Sequence, residues 1–249
     1  MCCITKLRSR LYTGIAQRWE KIHQCFALGA AYNRGLEKHL AGSMRNRGGL
    51  VAAGLVTILF LVSCRKPVAK VVVPEVFRVK FETSQGDFVV EVARAWAPHG
   101  VDRFHELVRK RYFDEGRFFR VVPGFITQFG VHRDFNVHAT WRQLFIPDDP
   151  PKEKNVRGTL AFAMSGPATR ATEIFINLAD NPILDEQGFV PFAKIVEGID
   201  VVDKFYWGYG EMRPKGKNID PGRVEEETNE YLVQRFPKLD YIKRTEFVQ

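Results

Sequence analysis

Cysteine and histidine, which often act as nucleophiles, bases or metal ligands, are absent or few after residue 64 of this chain. All four cysteines precede residue 65, so the remaining residues can form neither a disulfide nor a thiolate metal site. Of the six histidines, His132 and His138 lie six positions apart with Asp134 between them. A metal site there would need a further ligand and a defined geometry, so we interpret this segment as a solvated loop. We therefore expect no metal and no cofactor.

One charged side chain stands in an unusual position. Arg120 lies between Phe119 and Val121, within an apolar stretch that is typical of a strand. An arginine in such a place indicates a functional groove, because the guanidinium keeps its charge and can donate several hydrogen bonds to a bound molecule.

The elements that must position Arg120 are short strands with few helices. Alternating apolar and polar residues from Phe77 to Val92, interrupted by a turn at residues 84–87, predict a β-hairpin. Helical spacing predicts one helix that begins at Pro98, a second over residues 199–207 and a short third over 229–235. Further strands are predicted at 118–122, 125–128, 158–163, 173–177, 190–195 and 240–247. Many strands with few helices predict a mainly β fold, a closed antiparallel barrel.

The charge is distributed unevenly along the chain. The net charge is +8, yet residues 1–64 carry 9 basic and 2 acidic residues, whereas residues 65–249 carry 28 and 27. Nucleic-acid binding needs basic residues clustered on the folded domain, so we expect no nucleic-acid partner.

The basic N-terminal part resembles an export signal. Gly48 to Ser63 form an apolar run of sixteen residues, which is shorter than the roughly 20 that a spanning helix needs. Basic residues precede this run and small residues end it, as in a signal peptide. The run closes on Leu61-Val-Ser-Cys64, which resembles the lipobox of bacterial lipoproteins and makes Cys64 the candidate lipid anchor. A plain membrane anchor, or a cleaved signal with a chance cysteine, is the alternative.

These features predict four segments. Residues 1–43 are an N-terminal extension upstream of a start at Met44, or alternatively a basic amphipathic helix on a membrane surface. Residues 44–64 are the signal peptide with its lipobox, 65–75 a tether, and 76–249 the folded domain. The mature chain is then expected in the cell envelope at the periplasmic face of the membrane. Arg65, rather than an acidic residue, follows the cysteine and favours the outer membrane.

The folded domain resembles the cyclophilin family of peptidyl-prolyl isomerases. The resemblance rests on Phe118 to Gln128 (FFRVVPGFITQ), Arg157 to Ala163 (RGTLAFA) and Thr172 to Asn177 (TEIFIN), and it extends in order over residues 76–247. It implies an eight-stranded antiparallel barrel capped by two helices. The substrate proline would lie in an apolar groove on the outer face of that barrel.

The resemblance also implies roles for single residues. It gives Arg120, Phe125 and Gln128 catalytic positions, with Arg120 donating to the prolyl nitrogen and Gln128 holding the substrate backbone. It assigns substrate binding to Ile126, Ala163, Met164, Ser165, Glu173, Phe175, Leu184 and Phe189. At Glu173 most of the family has glutamine, and we expect this carboxylate to pair with Arg120.

The expected function is peptidyl-prolyl cis-trans isomerisation that assists the folding of exported proteins, with proline-containing unfolded or extended polypeptides as partners. We expect a monomer that is joined to the membrane through its N-terminus. Two alternatives remain: a proline-peptide-binding or chaperone module with little catalysis, and a structural lipoprotein whose site has decayed.

Overall fold

The computed structural model of the chain describes residues 71–216 and 218–249. Met44, Cys64 and the first part of the expected tether lie outside the described residues. Within them, no helix is long and apolar enough to cross a bilayer.

An eight-stranded antiparallel sheet forms the body of the described domain and confirms the predicted fold class. Its strands are β1 (Val76–Thr83), β2 (Gly86–Ala93), β3 (Arg120–Val122), β4 (Ile126–Phe129), β5 (Thr159–Phe162), β6 (Ile174–Asn177), β7 (Pro191–Glu197) and β8 (Ile242–Val248). They are ordered β3-β4-β6-β5-β7-β2-β1-β8. The predicted hairpin is β1 and β2, paired from Val76 with Ala93 to Thr83 with Gly86.

The sheet curls until its two edges approach each other. The residues just before β3 hydrogen bond to those around the start of β8: the Phe118 N–H donates to the Asp240 carbonyl at 3.0 Å, and the Ile242 N–H donates to the Gly116 carbonyl at 2.9 Å. Arg117 and Tyr241 form an isolated antiparallel bridge in the same place. Closure therefore depends on a few backbone bonds between short segments rather than on a full ladder between the edge strands.

Five helical segments accompany the sheet in the described residues: α1 (Pro98–Arg109), α2 (Phe135–Trp141), α3 (Pro182–Glu186), α4 (Ile199–Val202) and α5 (Pro221–Arg235). Helix α1 begins with proline, whose missing N–H costs nothing in the first turn. The Asp149 carboxylate accepts from the backbone N–H groups of His99 and Gly100, both at 2.9 Å, and so caps the helix from a distant loop. The apolar stripe of α1 packs into the curled sheet.

The helices differ from the sequence prediction in four places, the first of which is α3, a short helix that was not predicted. Helix α4 ends at Val202 instead of reaching Trp207, because the chain turns so that the Phe205 ring can stack on Phe118 at 4.1 Å between centroids. The expected short third helix is the end of α5, which begins at Pro221 and is interrupted at Thr228. The expected loop around His138 contains α2 instead, which is capped by Asp134.

Three hydrophobic clusters occur in the described residues, and two of them hold the fold together. The main cluster fills the curled sheet and includes the mutually contacting rings of Phe81, Phe104, Phe113 and Phe129. A second cluster, called here the C-terminal cluster, consists of Phe119, Val131, Ile219, Val224, Tyr231, Leu232 and Leu239, with Tyr209, Met212 and Phe236 packed against it. This second cluster holds the segment between α4 and α5, and α5 itself, beside strand β3.

Candidate functional site

Strand register brings the predicted catalytic residues to the outer face of the sheet. Arg120 on β3 lies opposite Gln128 on β4, and Gln128 lies opposite Phe175 on β6. Side chains alternate along a strand, so directly paired residues point to the same face. Their neighbours Val121, Phe129 and Ile176 belong to the main cluster on the inner face, which leaves the paired residues outside.

A cluster of apolar side chains, called here the apolar pocket, lies on this outer face. Ile126, Phe175 and Leu184 are buried there with Ala161, while Phe125, Ala163 and Phe189 pack against them at the rim. The rings of Phe175 and Phe189 meet edge to face at 5.4 Å between centroids. Six of the residues to which the sequence assigned a role in binding or catalysis therefore belong to one cluster. Ala161 was not predicted, although it occupies the outward position of β5.

Buried amides behind the pocket fix its aromatic rim. The Asn181 side chain donates to the Phe125 carbonyl at 3.0 Å, and the Asn155 side chain donates to the Phe189 carbonyl at 2.8 Å. Asn177 joins the two, because its side-chain nitrogen donates to Asn155 at 3.1 Å and its oxygen accepts from Asn181 at 2.7 Å. Sequence reasoning missed these asparagines, which resemble ordinary turn residues until the fold brings them together.

Arg120 is held by a carboxylate that the sequence did not indicate. Its Nε donates to Glu211 Oε1 at 2.5 Å and its Nη2 to Glu211 Oε2 at 2.7 Å, while Nη1 donates to Gln128 Oε1 at 3.2 Å. The guanidinium carbon also lies 5.7 Å from the centroid of the Phe125 ring. The expected pairing of Arg120 with Glu173 is wrong: Gln128 stands between them and donates through Nε2 to Glu173 Oε2 at 2.6 Å.

Glu173 in turn contacts a second carboxyl group, Glu225 of α5. Burial and the hydrogen bond and charge of Glu225 raise the pKa of Glu173 to about 8. Burial disfavours the charge of Glu225 too, but hydrogen bonds from His138 and Arg142 outweigh this and lower its pKa. At neutral pH Glu173 therefore keeps a proton that it donates to the Glu225 carboxylate.

His138 lies fully buried at the far end of this network, not in a solvated loop as the sequence suggested. Its Nε2 is 3.0 Å from Glu225 Oε2, and its Nδ1 is 3.0 Å from the Tyr112 hydroxyl. Because a carboxylate can only accept, we assign the proton to Nε2. Residues 71–216 and 218–249 contain no group of three or more His, Cys, Asp or Glu side chains suited to a metal ion.

A cavity adjoins the apolar pocket and shares Ala163 with it. It measures about 510 Å³, and its walls include Gln128, Glu173 and Glu225 together with the predicted binding segment Ala163, Met164 and Ser165. The C-terminal cluster contributes Met212 and Val224 to the same walls. An extended chain with an apolar ring in the pocket would have room there for neighbouring residues.

Together these features define a class of protein: a curled antiparallel sheet that can hold an apolar ring on its outer face beside a fixed guanidinium. Residues 78–221 match the family model described as cyclophilin-type peptidyl-prolyl cis-trans isomerase. This chain belongs to that family of isomerases.

Individual relatives agree with this membership. The chain is 32% identical over 134 residues to peptidyl-prolyl cis-trans isomerase B of Escherichia coli, a match that covers 51% of this chain and 82% of that protein. It is 30% identical over 167 residues to peptidyl-prolyl cis-trans isomerase A of Dickeya dadantii, covering 62% of this chain and 82% of the relative. A solved cyclophilin-type isomerase from Cryptosporidium parvum superposes with a TM-score of 0.52 at 20% identity, covering 70% of this chain and 98% of that one. That likeness confirms the fold.

Proposed function

We propose that this chain accelerates cis-trans isomerisation of X-Pro bonds in unfolded or extended polypeptides, with Arg120 as the group that acts on the reacting amide. The observation that carries the proposal is the guanidinium fixed at the rim of the apolar pocket. It carries five N–H donors, of which three are engaged by Glu211 and Gln128, and two remain for a substrate.

The chemistry needs no covalent intermediate. Rotation about an X-Pro bond is opposed by delocalisation of the nitrogen lone pair into the carbonyl, with a barrier of about 18–20 kcal/mol. In the twisted state the lone pair is localised on nitrogen and becomes a better hydrogen-bond acceptor. A donor placed there in advance stabilises the twisted state more than the planar one and so lowers the barrier.

The remaining residues of the site would position the substrate. The pocket formed by Ile126, Phe175 and Leu184 would hold the proline ring, with Phe125 and Phe189 at its rim. The adjoining cavity would take the residue before proline against Ala163, Met164 and Ser165.

The test is the cis-to-trans rate of short X-Pro peptides with the full-length protein, Arg120→Ala, and Arg109→Ala as a control. Arg109 is an exposed arginine at the end of α1, outside the site. We expect acceleration by the wild type and the control, and a loss of about 100-fold or more in Arg120→Ala, the usual effect of removing one preorganised donor.

A second candidate function has its own support. Because Glu211 already occupies one edge of the Arg120 guanidinium, the groove would also suit a proline-peptide-binding or chaperone module without catalysis. In that case peptide binding would survive Arg120→Ala, and the folded wild type would give no rate enhancement.

We further propose that the clients are exported proteins, and that the chain acts from the periplasmic face of the membrane, anchored by a lipid on Cys64. The support is the apolar run Gly48–Ser63 that ends in a cysteine. Mass analysis of the N-terminus in the membrane fraction tests this. A lipidated N-terminal Cys64 is expected, and an unmodified peptide from residues 1–43 would overturn both the start at Met44 and the anchor.

A further inference from the structure

We infer that Glu211 is a positioning residue for the proposed isomerisation: it fixes the plane of the Arg120 guanidinium so that the two unengaged N–H donors are held ready for the substrate. This inference rests on the proposed function and adds to it a residue outside the sheet. Glu211 lies in the segment between α4 and α5, 91 positions from Arg120 in the sequence.

The contact has the geometry that fixes a guanidinium best. Both carboxylate oxygens of Glu211 are engaged, one by Nε and one by Nη2, at 2.5 and 2.7 Å. Such a two-point contact between planar groups defines an orientation, which a single bond does not. The Arg120 side chain is only 17% exposed, so solvent screens the pair less than it screens a surface ion pair.

The contact with Glu211 determines which N–H groups of the Arg120 guanidinium remain available. Glu211 takes the edge formed by Nε and Nη2, and Gln128 takes one hydrogen of Nη1. One N–H on each terminal nitrogen is left, beside the Phe125 ring at the rim of the pocket. An unpaired arginine would lose rotamer entropy on reaching one geometry, and Glu211 removes that loss from the reacting state.

The segment that carries Glu211 is built to hold it in place. The Met212 backbone N–H donates to Glu211 Oε1 at 2.9 Å, which orients the carboxylate. Met212 and Tyr209 pack on the C-terminal cluster, which also contains Phe119, the residue before Arg120. The same cluster therefore supports both partners of the ion pair.

A close approach between two parts of its backbone further restricts the conformation of the same segment. The Gly216 N–H donates to the Met212 carbonyl at 2.6 Å, and a Cβ at position 216 would overlap the carbonyl oxygen of Glu211. Only glycine permits this approach. The segment is held by packing and backbone bonds on both sides of Glu211, which suits a fixed support of the arginine.

The charge state of Glu211 agrees with this role. Burial alone would favour the neutral acid, but hydrogen bonds from Arg120 and from the Met212 N–H, and the charge of Lys215, lower the pKa of Glu211 overall. The carboxylate is therefore ionised at neutral pH and keeps both of its oxygens as acceptors.

The experiment compares Glu211→Gln and Glu211→Ala with the full-length wild type, and uses Glu226→Gln as the matched control. Glu226 is an exposed carboxylate on α5, and its substitution removes the same charge at a distance from Arg120. For X-Pro peptides we expect kcat/KM to fall about tenfold in Glu211→Gln and further in Glu211→Ala. The loss should lie in kcat, with peptide Kd within twofold of the wild type and no change in the control.

Two further measurements separate positioning from general support of the fold. In the Arg120→Ala background, Glu211→Gln should cause no additional loss, because the group that it positions is gone. A 15N NMR spectrum should show a protected Arg120 Nε–H in the wild type and in Glu226→Gln, and loss of that protection in Glu211→Gln.

Each contrary result has a distinct meaning. A higher rate in Glu211→Gln would overturn the inference and make Glu211 a restraint on Arg120. An unchanged rate, or an equal loss with and without Arg120, would also overturn it while the proposed function stands. A folded wild type with no isomerase activity would overturn the proposed function and this inference together.

Discussion

The side chain of Gln128 connects two pairs of ionisable side chains that differ in their charge. On one side it accepts from Arg120, which is paired with Glu211; on the other it donates to Glu173, which faces Glu225. The first pair joins opposite charges, whereas the second joins two acids that share a proton. Gln128 therefore takes its orientation from one pair that is ionised at neutral pH and from another in which Glu173 keeps a proton.

This difference separates two tasks within one network. In the proposed function, the pair of Arg120 and Glu211 presents donors to the pocket and takes part in the reaction. The pair of Glu173 and Glu225 is joined to buried His138 and Tyr112 and concerns the stability of the domain. Substitutions in the pair of Arg120 and Glu211 should therefore change the isomerisation rate, and substitutions in the pair of Glu173 and Glu225 should change the stability.

The largest effect on stability is expected from His138→Ala. The substitution removes one hydrogen-bond partner of Glu225 and one of the Tyr112 hydroxyl and leaves a cavity, so we expect the free energy of unfolding to fall by about 2–4 kcal/mol. Urea unfolding at pH 7 measures this change. His99→Ala is the control, because His99 is exposed and should change stability by less than about 0.5 kcal/mol. A small effect of His138→Ala would mean that this side of the network is not structural.

Local sequence patterns predicted the sheet well and this network poorly. The alternation from Phe77 to Val92 is a property of neighbouring residues, and the hairpin followed from it. Helix α2 escaped detection although Asp134 provides its N-cap, because Phe135 and Val137 are exposed and give no apolar stripe.

The proposed binding pocket and the residue proposed to support Arg120 differ in the same way. Phe125, Phe175 and Leu184 could be placed through their motifs, and they do come together. Glu211 could not be placed, since nothing near it in the sequence specifies a partner 91 positions away. The contact exists only because the C-terminal cluster packs beside β3.

The second prediction concerns Glu173→Gln and the pH dependence of stability. The pKa of Glu173 rises from an ordinary value of 4.5 to about 8 on folding, so between these pH values the folded chain keeps a proton that the unfolded chain has lost. The stability contributed by this group is complete below about pH 4.5 and is lost as pH rises to 8. Glu225, whose pKa is lowered, loses its contribution only in acid.

We therefore expect the wild type to lose about 1–3 kcal/mol more than Glu173→Gln between pH 5 and pH 8. Urea unfolding of both proteins at several pH values checks this, and their difference cancels the titration of the histidines. Glu226→Gln, with its exposed carboxylate, should follow the wild type. If the free energies of unfolding of the wild type and Glu173→Gln change with pH in parallel, Glu173 is ionised in the folded protein. The two pairs that flank Gln128 would then not differ in their response to pH.

The smallest effect is expected from Gln128→Glu, which changes the group that connects the two pairs. A carboxylate there still accepts from Arg120 but cannot donate to Glu173, and it adds a second negative charge beside the guanidinium. We expect the isomerisation rate at pH 7 to fall about tenfold, or about 1.4 kcal/mol in the barrier, because the extra charge competes with the substrate for the Arg120 donors. The loss should grow by pH 9, where Glu173 is ionised as well.

The control is Gln143→Glu. It places the same charge in the wall of the adjoining cavity, at a residue that makes no hydrogen bond to Arg120. If both variants lose the same activity, the added negative charge in the cavity causes the loss, and the hydrogen bonds of Gln128 to Arg120 and Glu173 do not matter. A loss confined to Gln128→Glu assigns the effect to those hydrogen bonds.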